Sequence, residues 1–249
     1  MVIDMNNSFQ VVAILPAAGS GRRMGADINK IWLPIDGKRM ITYTLEVFLA
    51  SPWIKQLILV VNPAELSEFE DFLRVNYPRK EIILVPGGQE RRNSVGNALS
   101  FLKDWPEWRA PRRLVAIHDA ARALLTPQLL EAAIQAGLEY GAAGVGVPVK
   151  DTIKQVDDSG FIERTPDRTK LWAIQTPQVF DFQLITACYD ATAGLNIVFP
   201  DDCSVAEYCG RRVKMIPGSY ENFKITTPED LILAEILFRR RKNADWTRN

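Results

Sequence analysis

Short apolar runs alternate with longer amphipathic stretches over the first two thirds of the chain. The apolar runs are rich in Val, Ile and Leu, which is typical of strands that helices cover on both faces. They lie at Val11–Leu15, Gln56–Val61, Glu81–Val85, Leu114–Ile117 and Ala142–Val149. The stretches between them have helical spacing, at Ile41–Leu49, Pro63–Asn76, Arg91–Leu102 and Pro127–Tyr140. This alternation predicts an α/β fold with a doubly wound, mostly parallel sheet.

The segment after the fifth predicted strand breaks this rhythm. Two extended runs, Thr152–Val156 and Phe161–Thr165, flank the sequence Asp157-Asp158-Ser159-Gly160, which is typical of a hairpin turn. We therefore expect one domain over residues 1–249, with 152–180 as a protruding, extended β-hairpin arm. Such an arm either folds back on its own domain or reaches another subunit, and the residues alone leave both open.

Composition and charge narrow the class of protein. The chain has 249 residues, of which 47% are hydrophobic and 24% charged, as in a globular enzyme. Its 30 basic residues balance 30 acidic ones, so no overall field attracts nucleic acid or a membrane. Cys188, Cys203 and Cys209 have no metal-ligand spacing, and the single histidine, His118, argues against a histidine-rich metal site. Without a signal peptide or a membrane-spanning run, the expected location is the cytoplasm.

A glycine-rich stretch at the end of the first predicted strand indicates the chemistry. Gly19 and Gly21 let the backbone approach a ligand, and Arg22, Arg23 and Lys30 add positive charge. Backbone N–H groups and clustered cations at a strand end predict a site for a nucleoside triphosphate. A P-loop is excluded because no Gly-Lys-Ser or Gly-Lys-Thr triplet occurs. The glycine spacing also departs from G-x-G-x-x-G, which argues against a dinucleotide-binding oxidoreductase.

The loop after the third predicted strand adds groups suited to a nucleobase. Gly87 and Gly88 expose backbone N–H groups, while the Gln89 amide and the Ser94 hydroxyl can bond the edge of a base. The same residues also suit a tight turn ahead of a helix, with Ser94 inside its first turn. Both interpretations remain open from the residues alone.

Two further loops contain candidate polar residues. Asp119 ends the fourth predicted strand, where an acid suits ribose hydroxyls, a metal or a substrate hydroxyl, although it also suits a helix N-cap. Arg122, one turn into the following helix, is expected to face the same cleft, whereas His118 is expected to be a buried core residue. Lys224 lies between two apolar neighbours on a predicted short strand, so it points away from them into the cleft or into solvent.

Together these motifs resemble a known family, the 2-C-methyl-D-erythritol 4-phosphate cytidylyltransferases of the non-mevalonate isoprenoid pathway. The resemblance extends from Ile14 to about Leu237. It rests on ordered stretches, of which the first is shared with many sugar-nucleotide pyrophosphorylases and the later ones are more specific. They are Pro16–Met24, Lys30 with Leu33-Pro34-Ile35, Gly87–Arg91 with Ser94-Val95, His118–Arg122, Asp151–Lys154, Thr176-Pro177-Gln178, and Asn222–Thr226 with Pro228–Leu231.

The resemblance implies a Rossmann-like nucleotidyltransferase fold and the transfer of CMP from CTP to a polyol phosphate. A substrate phosphate oxygen would attack the α-phosphorus in line and release pyrophosphate, with no covalent intermediate. Catalysis would then depend on positioning and charge neutralisation. By similarity, the catalytic cations would be Arg23, Lys30 and Lys224. Mg²⁺ would be the cofactor, held mainly by the CTP phosphates rather than by protein ligands.

The resemblance also divides the remaining site residues between the two substrates. The nucleotide-binding set would be Ala17, Ala18, Gly19, Gly21, Gly88, Gln89, Ser94 and Asp119. The set for methylerythritol phosphate would be Asp119, Arg122, Thr152, Arg168 and Thr176. In this family the hairpin arm crosses to a second subunit, so Thr152 and Arg168 would serve the partner's site in a homodimer.

Three residues depart from the family pattern. Asn29 replaces the usual proline before Lys30, which should loosen that loop but keep the charge. Gln89 replaces a common aspartate, and its amide can both accept from cytosine and donate to uracil. Ala123 replaces a proline, with a mild expected effect. Two other functions stay open: a cytidylyltransferase for another polyol phosphate such as ribitol 5-phosphate, and a non-catalytic CTP-binding module.

Overall fold

The computed structural model describes residues 9–19 and 29–246. In these residues a seven-stranded sheet has the order β11-β7-β10-β6-β1-β4-β5, and two short hairpins, β2-β3 and β8-β9, lie outside it. The strands are β1 (Phe9–Pro16), β2 (Pro34–Ile35), β3 (Lys38–Arg39), β4 (Ile54–Val61), β5 (Ile82–Pro86), β6 (Arg112–Ile117), β7 (Ala142–Pro148), β8 (Gln155–Val156), β9 (Ile162–Arg164), β10 (Trp172–Asp181) and β11 (Lys214–Pro217). The prediction of a doubly wound, mostly parallel sheet is confirmed, since β10 alone of the seven runs antiparallel to its neighbours.

Helices cover both faces of this sheet. They are α1 (Met40–Ala50), α2 (Leu66–Asn76), α3 (Arg91–Lys103), α4 (Pro127–Tyr140), α5 (Phe182–Thr192), α6 (Asp202–Tyr208) and α7 (Pro228–Trp246). Side chains alternate along a strand, so β1 supplies both layers. Val11, Ala13 and Leu15 pack with α1, α2, α4 and α7, whereas Val12 and Ile14 pack with α3, α5 and α6. All five side chains are fully buried, which explains why the central strand is continuously apolar.

Local signals in the sequence fix several helix starts. The hydroxyl of Thr126 accepts from the Leu129 N–H at 3.2 Å, and Pro127 occupies the first helical position of α4. Asn62 caps a 3₁₀ turn at Pro63–Glu65, which precedes α2 and takes the place of the first turn of the predicted helix. These caps satisfy N–H groups that a helix cannot bond internally.

The range predicted for the arm is too long at its C-terminal end. Residues 172–181 form β10, which lies between β6 and β7 in the central sheet, and residues 175–180 are buried. The pairing with β7 shifts register between Ile174 and Gln178, around Pro177. Proline and several polar residues interrupt the apolar pattern there, so the sequence did not indicate a core strand.

The remaining arm, residues 152–171, is a small exposed hairpin as predicted. Gly160 adopts a left-handed conformation (φ 85°) in its turn, which glycine tolerates because it has no Cβ. Val156, Phe161 and Ile162 are 51%, 74% and 61% exposed, although all three are apolar. Across the described parts of the chain, none of the helices is long and apolar enough to cross a bilayer.

Candidate active site

A cavity of about 320 Å³ lies at the carboxyl ends of β1, β5 and β6. Ligands of doubly wound sheets bind in this position, because the loops that leave parallel strands meet there. Many of the residues predicted from the sequence to bind nucleotide or to act in catalysis line it together: Ala17, Ala18, Gly19, Lys30, Gly88, Gln89, Ser94, Asp119 and Lys224.

Other predicted residues lie elsewhere. Arg122 and Thr176 contact Asp119, which borders the cavity, through hydrogen bonds. Thr152 and Arg168 are exposed on the arm and do not line the cavity. The remaining predicted residues, Gly21 and Arg23, fall outside the described residues.

The glycine loop after β5 is shaped by close backbone packing. A Cβ on Gly88 would lie 2.3 Å from the Cβ of Asn93, so only glycine fits. The Gly88 N–H donates to Ser94 Oγ at 3.1 Å, and the Ser94 hydroxyl donates to the Glu90 carbonyl at 3.2 Å. Ser94 therefore lies in the first turn of α3 and lines the cavity. The same side chain also holds the glycine loop in place.

Asn29 holds the loop before Lys30 in place. Its buried amide donates to the Ala17 carbonyl and to the Glu65 carboxylate, both at 3.0 Å, and its Oδ1 accepts from the Ile31 N–H at 3.4 Å. The hydrogen bonds of Asn29 hold this end of the loop, and the looser loop expected from the loss of proline stays a prediction.

The two predicted lysines are brought together from opposite ends of the chain. Lys30 Nζ donates to the Ile225 carbonyl at 2.8 Å, and the Ile225 N–H donates to the Ala121 carbonyl at 2.9 Å. Lys224 was expected on a short strand, but its segment has irregular backbone held by these contacts. The cavity wall around Lys30 and Lys224 is thus fixed by tertiary hydrogen bonds rather than by a sheet.

A chain of alternating charges runs from the cavity into the core. Asp119 accepts from Lys224 Nζ and from Arg91 Nε, each at 2.8 Å, with one carboxylate oxygen for each cation. Arg91 also donates to the fully buried Asp202 at 2.8 Å, and the Tyr189 hydroxyl donates to the other oxygen of Asp202 at 2.5 Å. These contacts fix Asp119 and the Arg91 guanidinium at the cavity wall.

Neighbouring opposite charges keep Asp119 and Arg91 ionised although both side chains are largely buried. Burial opposes ionisation of Asp119, but Arg91 and Lys224 outweigh it and hold the pKa of this carboxyl well below its usual range. Burial likewise acts to lower the pKa of Arg91, and Asp202 and Asp119 reverse the effect and raise it. Sequence reasoning missed Arg91, Asp202 and Tyr189 as a group, since no local pattern joins residues so far apart.

Next to the cavity, three segments form what we call the buried edge: residues 118–122, 174–178 and 222–225. Arg122 was predicted on a helix, but it lies in a turn, where its N–H donates to the Asp119 carbonyl at 2.9 Å. Its guanidinium donates to the carbonyls of Asn222 at 2.9 Å and Ile174 at 3.4 Å. His118 is fully buried, so the prediction of a core histidine is confirmed.

The described residues contain no group of three or more His, Cys, Asp or Glu side chains placed to hold a metal. Both carboxylate oxygens of Asp119 are already bonded to cations. This cavity offers the positive charge of Lys30, Arg91 and Lys224, which suits the phosphates of a nucleotide. The N–H groups of Gly87 and Gly88, which we expected to be exposed, instead donate to the Val61 carbonyl at 2.7 Å and to Ser94 Oγ at 3.1 Å.

The α/β fold and the cationic cleft at the carboxyl edge of its sheet are those of a nucleotidyltransferase. The model of the family "IspD: 2-C-methyl-D-erythritol 4-phosphate cytidylyltransferase" matches residues 11–240. The chain therefore belongs to the 2-C-methyl-D-erythritol 4-phosphate cytidylyltransferase family.

Individual relatives agree with this assignment. The 2-C-methyl-D-erythritol 4-phosphate cytidylyltransferase of Caldanaerobacter subterraneus subsp. tengcongensis is 44% identical over 92% of this chain and 99% of its own length. That of Syntrophotalea carbinolica is 45% identical over 90% and 94% of the two chains. The crystal structure of 4-diphosphocytidyl-2C-methyl-D-erythritol synthase from Anaerococcus prevotii superposes with a TM-score of 0.79 at 31% identity, covering 92% of this chain and 98% of that one.

Proposed function

We propose that this chain carries out the reaction for which its family is named. It transfers CMP from CTP to 2-C-methyl-D-erythritol 4-phosphate and yields 4-diphosphocytidyl-2-C-methyl-D-erythritol and pyrophosphate. An oxygen of the acceptor phosphate forms a bond to the α-phosphorus, the bond from that phosphorus to the bridging oxygen breaks, and pyrophosphate leaves. The nucleophile is already an anion, so the reaction needs charge neutralisation and alignment rather than a strong base.

One observation carries this proposal: Lys30 and Lys224 line the same cavity as the glycine loop at Gly88. In the proposed reaction Lys30 binds the triphosphate, and Lys224 stabilises charge on the α-phosphate and the attacking oxygen. The Asp119 carboxylate holds Lys224 Nζ at 2.8 Å and aims it at the cavity. Arg23 is proposed as the third catalytic cation on the basis of its motif.

The nucleotide is proposed to bind along the end of β1 and the loop after β5. The backbone of Ala17, Ala18 and Gly19 approaches the nucleotide, while Gly88, Gln89 and Ser94 bond the base edge; Asp119 and Gly21 complete the nucleotide-binding set. A glutamine carbonyl accepts from the cytosine amino group, and the glutamine NH₂ group is able to donate to uracil. We therefore expect CTP to be preferred, with measurable use of UTP.

The acceptor is proposed to bind at the buried edge beside the cavity. Asp119, Arg122 and Thr176 lie there, whereas Thr152 and Arg168 are exposed on the arm. We propose that the arm of a second copy brings its Thr152 and Arg168 to this edge in a homodimer. The exposed apolar side chains of Val156, Phe161 and Ile162 support this assembly, since association would cover them.

A divalent cation fits the site through the nucleotide rather than through protein ligands. Asp119 is engaged by Arg91 and Lys224, and the Glu90 carboxylate at the cavity accepts from the backbone at the start of α3, so we expect the phosphate oxygens of CTP to supply most of the ligands of Mg²⁺. When bound, Mg²⁺ would neutralise charge on the departing pyrophosphate. Lys30 and Lys224 bind and orient the same phosphates from the protein side.

The test is pyrophosphate release by the purified protein with Mg²⁺, comparing methylerythritol phosphate with ribitol 5-phosphate and CTP with UTP. We expect release with methylerythritol phosphate and CTP. Release with ribitol 5-phosphate alone would keep the mechanism and change the acceptor. Binding of CTP without release in any combination would favour a non-catalytic binding module and overturn the proposal.

A further inference from the structure

The one histidine of the chain lies at the centre of the buried edge. His118 follows β6 and is fully buried, and its ring lies 5.4 Å from that of Phe48. Its Nδ1 is 2.9 Å from the Thr176 hydroxyl and its Nε2 is 3.3 Å from the Arg122 carbonyl. The Thr176 oxygen also accepts from the Asp119 N–H at 3.1 Å. The imidazole thus bridges residues proposed to bind the acceptor.

The partners fix the direction of each hydrogen bond. The Arg122 carbonyl only accepts, so Nε2 must carry the proton. In a neutral ring Nδ1 is then an acceptor, and the Thr176 hydroxyl donates to it. That hydroxyl oxygen keeps a lone pair for the Asp119 N–H. The bonds therefore form one ordered series from the Asp119 backbone through Thr176 and His118 to the Arg122 carbonyl.

We propose that His118, as the neutral Nε2–H tautomer, is a positioning residue: it fixes the backbone of Asp119, through Thr176, and the backbone of Arg122, so that the Arg122 guanidinium is placed to bind the acceptor phosphate. The role rests on the proposed function. His118 is not among the residues that line the cavity, and it acts through the Thr176 hydroxyl and the Arg122 carbonyl that it bonds. An imidazolium would turn Nδ1 into a donor and deprive the Thr176 hydroxyl of its acceptor.

The surroundings of the ring favour the neutral form. Burial lowers the pKa of His118 to about 3, and the nearby Arg122 charge acts in the same direction. Asp119 opposes this shift, but its carboxylate is directed at Arg91 and Lys224. The positive charge of Arg122 sits close to the imidazole, which further disfavours a second cation there.

Two substitutions separate the hydrogen bond of His118 to Thr176 from its hydrogen bond to Arg122. Asn at position 118 places an amide where Nδ1 lies and retains a partner for Thr176, whereas Gln reaches the Nε2 position and retains a donor for Arg122. We expect His118→Asn and His118→Gln each to raise KM for the acceptor about tenfold, the loss of roughly one hydrogen bond. The KM for CTP should change less, by about twofold, because Asp119 is the one member of the proposed nucleotide-binding set that this series of hydrogen bonds reaches, and it does so through its backbone N–H.

Phe48→Leu provides the matched control. It disturbs the packing of the same ring and leaves both hydrogen bonds of His118 in place. A purely structural role predicts that Phe48→Leu and the His118 variants lower Tm alike and leave the acceptor KM unchanged. The proposal predicts that only the His118 variants change it, and equal acceptor KM values across all three variants would overturn it.

A spectroscopic test does not depend on turnover. With ¹⁵N-labelled histidine the protein gives the ring nitrogens of a single residue. We expect one protonated Nε2 and one unprotonated Nδ1 from pH 5 to pH 8, with the Nδ1 signal shifted in Thr176→Val. A protonated Nδ1, or an imidazolium at pH 6, would overturn the proposal. If this tautomer is found but the enzyme does not use methylerythritol phosphate, the proposed function is wrong, whereas the hydrogen bonds assigned to His118 are correct.

Discussion

The buried edge and the arm carry the residues proposed to bind one substrate, yet they are built in opposite ways. At the edge, His118, Thr176 and Asn222 are buried and hydrogen-bonded to segments far away in the chain. On the arm, Arg168 is exposed and its guanidinium donates to the Lys150 carbonyl at 2.9 Å, only 18 residues away.

The two regions therefore differ in what holds their residues in place. The edge is fixed by the fold of a single chain, because most of its buried polar groups bond to other parts of that chain. Arg122 Nε and Asn222 Oδ1 are the buried side-chain atoms of the edge without a hydrogen-bond partner among the described residues. The arm is held by short-range contacts, such as those of Lys154 with Thr165 and Arg164 with Gln155. In the homodimer proposed above, a second copy would cover the exposed apolar side chains of this arm.

The largest effect is expected from the cavity lysines next to the edge. Lys224→Ala and Lys30→Ala should each lower turnover about 10²–10³-fold, since each removes a cation that stabilises transition-state charge. The exposed Lys55, at the opposite end of β4, is the matched control, and Lys55→Ala should leave turnover unchanged. Initial rates and thermal melting test this together. An early-melting Lys224→Ala protein would indicate a structural lysine instead.

A cation of the arm should behave differently from those of the cavity. Arg168→Ala should lower turnover about 10²-fold through loss of phosphate binding, without changing Tm. Mixing unfolded Arg168→Ala and Lys30→Ala chains and refolding them should restore about a quarter of wild-type activity, because one site of each mixed dimer is intact. Arg164→Ala, on the same hairpin, is the control. No recovery on mixing would place Arg168 outside the partner's site.

Breaking the charged chain behind the edge should cost stability. Asp202→Asn leaves Arg91 and the Tyr189 hydroxyl without a buried carboxylate and should lower the free energy of unfolding by about 3 kcal/mol. Asp167→Asn, in the exposed arm, should leave it nearly unchanged. Urea denaturation compares the two variants, and equal midpoints would mean that the buried network does not hold the edge.

The pH dependence of stability should reveal the buried histidine of the edge. The pKa of His118 is about 3 in the folded protein and 6.5 in the unfolded chain. As the pH falls, the unfolded chain therefore binds the proton first. The free energy of unfolding should therefore decrease by about 2 kcal/mol from pH 7 to pH 5 through this residue. Urea titrations at both pH values should show that decrease in the wild type and not in His118→Asn. The pKa of Asp119 is lowered from its ordinary value of 3.8, so the stability that this carboxylate contributes is present above pH 3.8 and is lost as the pH falls further.

Much of the cavity was predictable because its signals are local in sequence. A buried apolar strand followed by small residues, as at Ala17 and Ala18, is typical of a phosphate-binding turn when cations lie close by in the sequence. The Gly88 loop has the same local character, and both line the cavity. The strand at 172–181 was not predicted, since its polar residues and Pro177 serve the site and hide the apolar pattern.

The α/β alternation and the hairpin turn at Gly160 could be predicted from the sequence, because each depends on neighbours a few residues apart. Resemblance to a family indicated Lys30 and Lys224, whereas Arg91 of the same cavity was missed. The contacts of Asp119 with Arg91 and Lys224, of Asn29 with the Lys30 loop, and of His118 with Thr176 and Arg122 arise only in the folded chain. A buried polar group must satisfy its hydrogen bonds with whatever the folded chain brings near it. That choice is made by packing across the sheet and leaves no periodic trace along the chain.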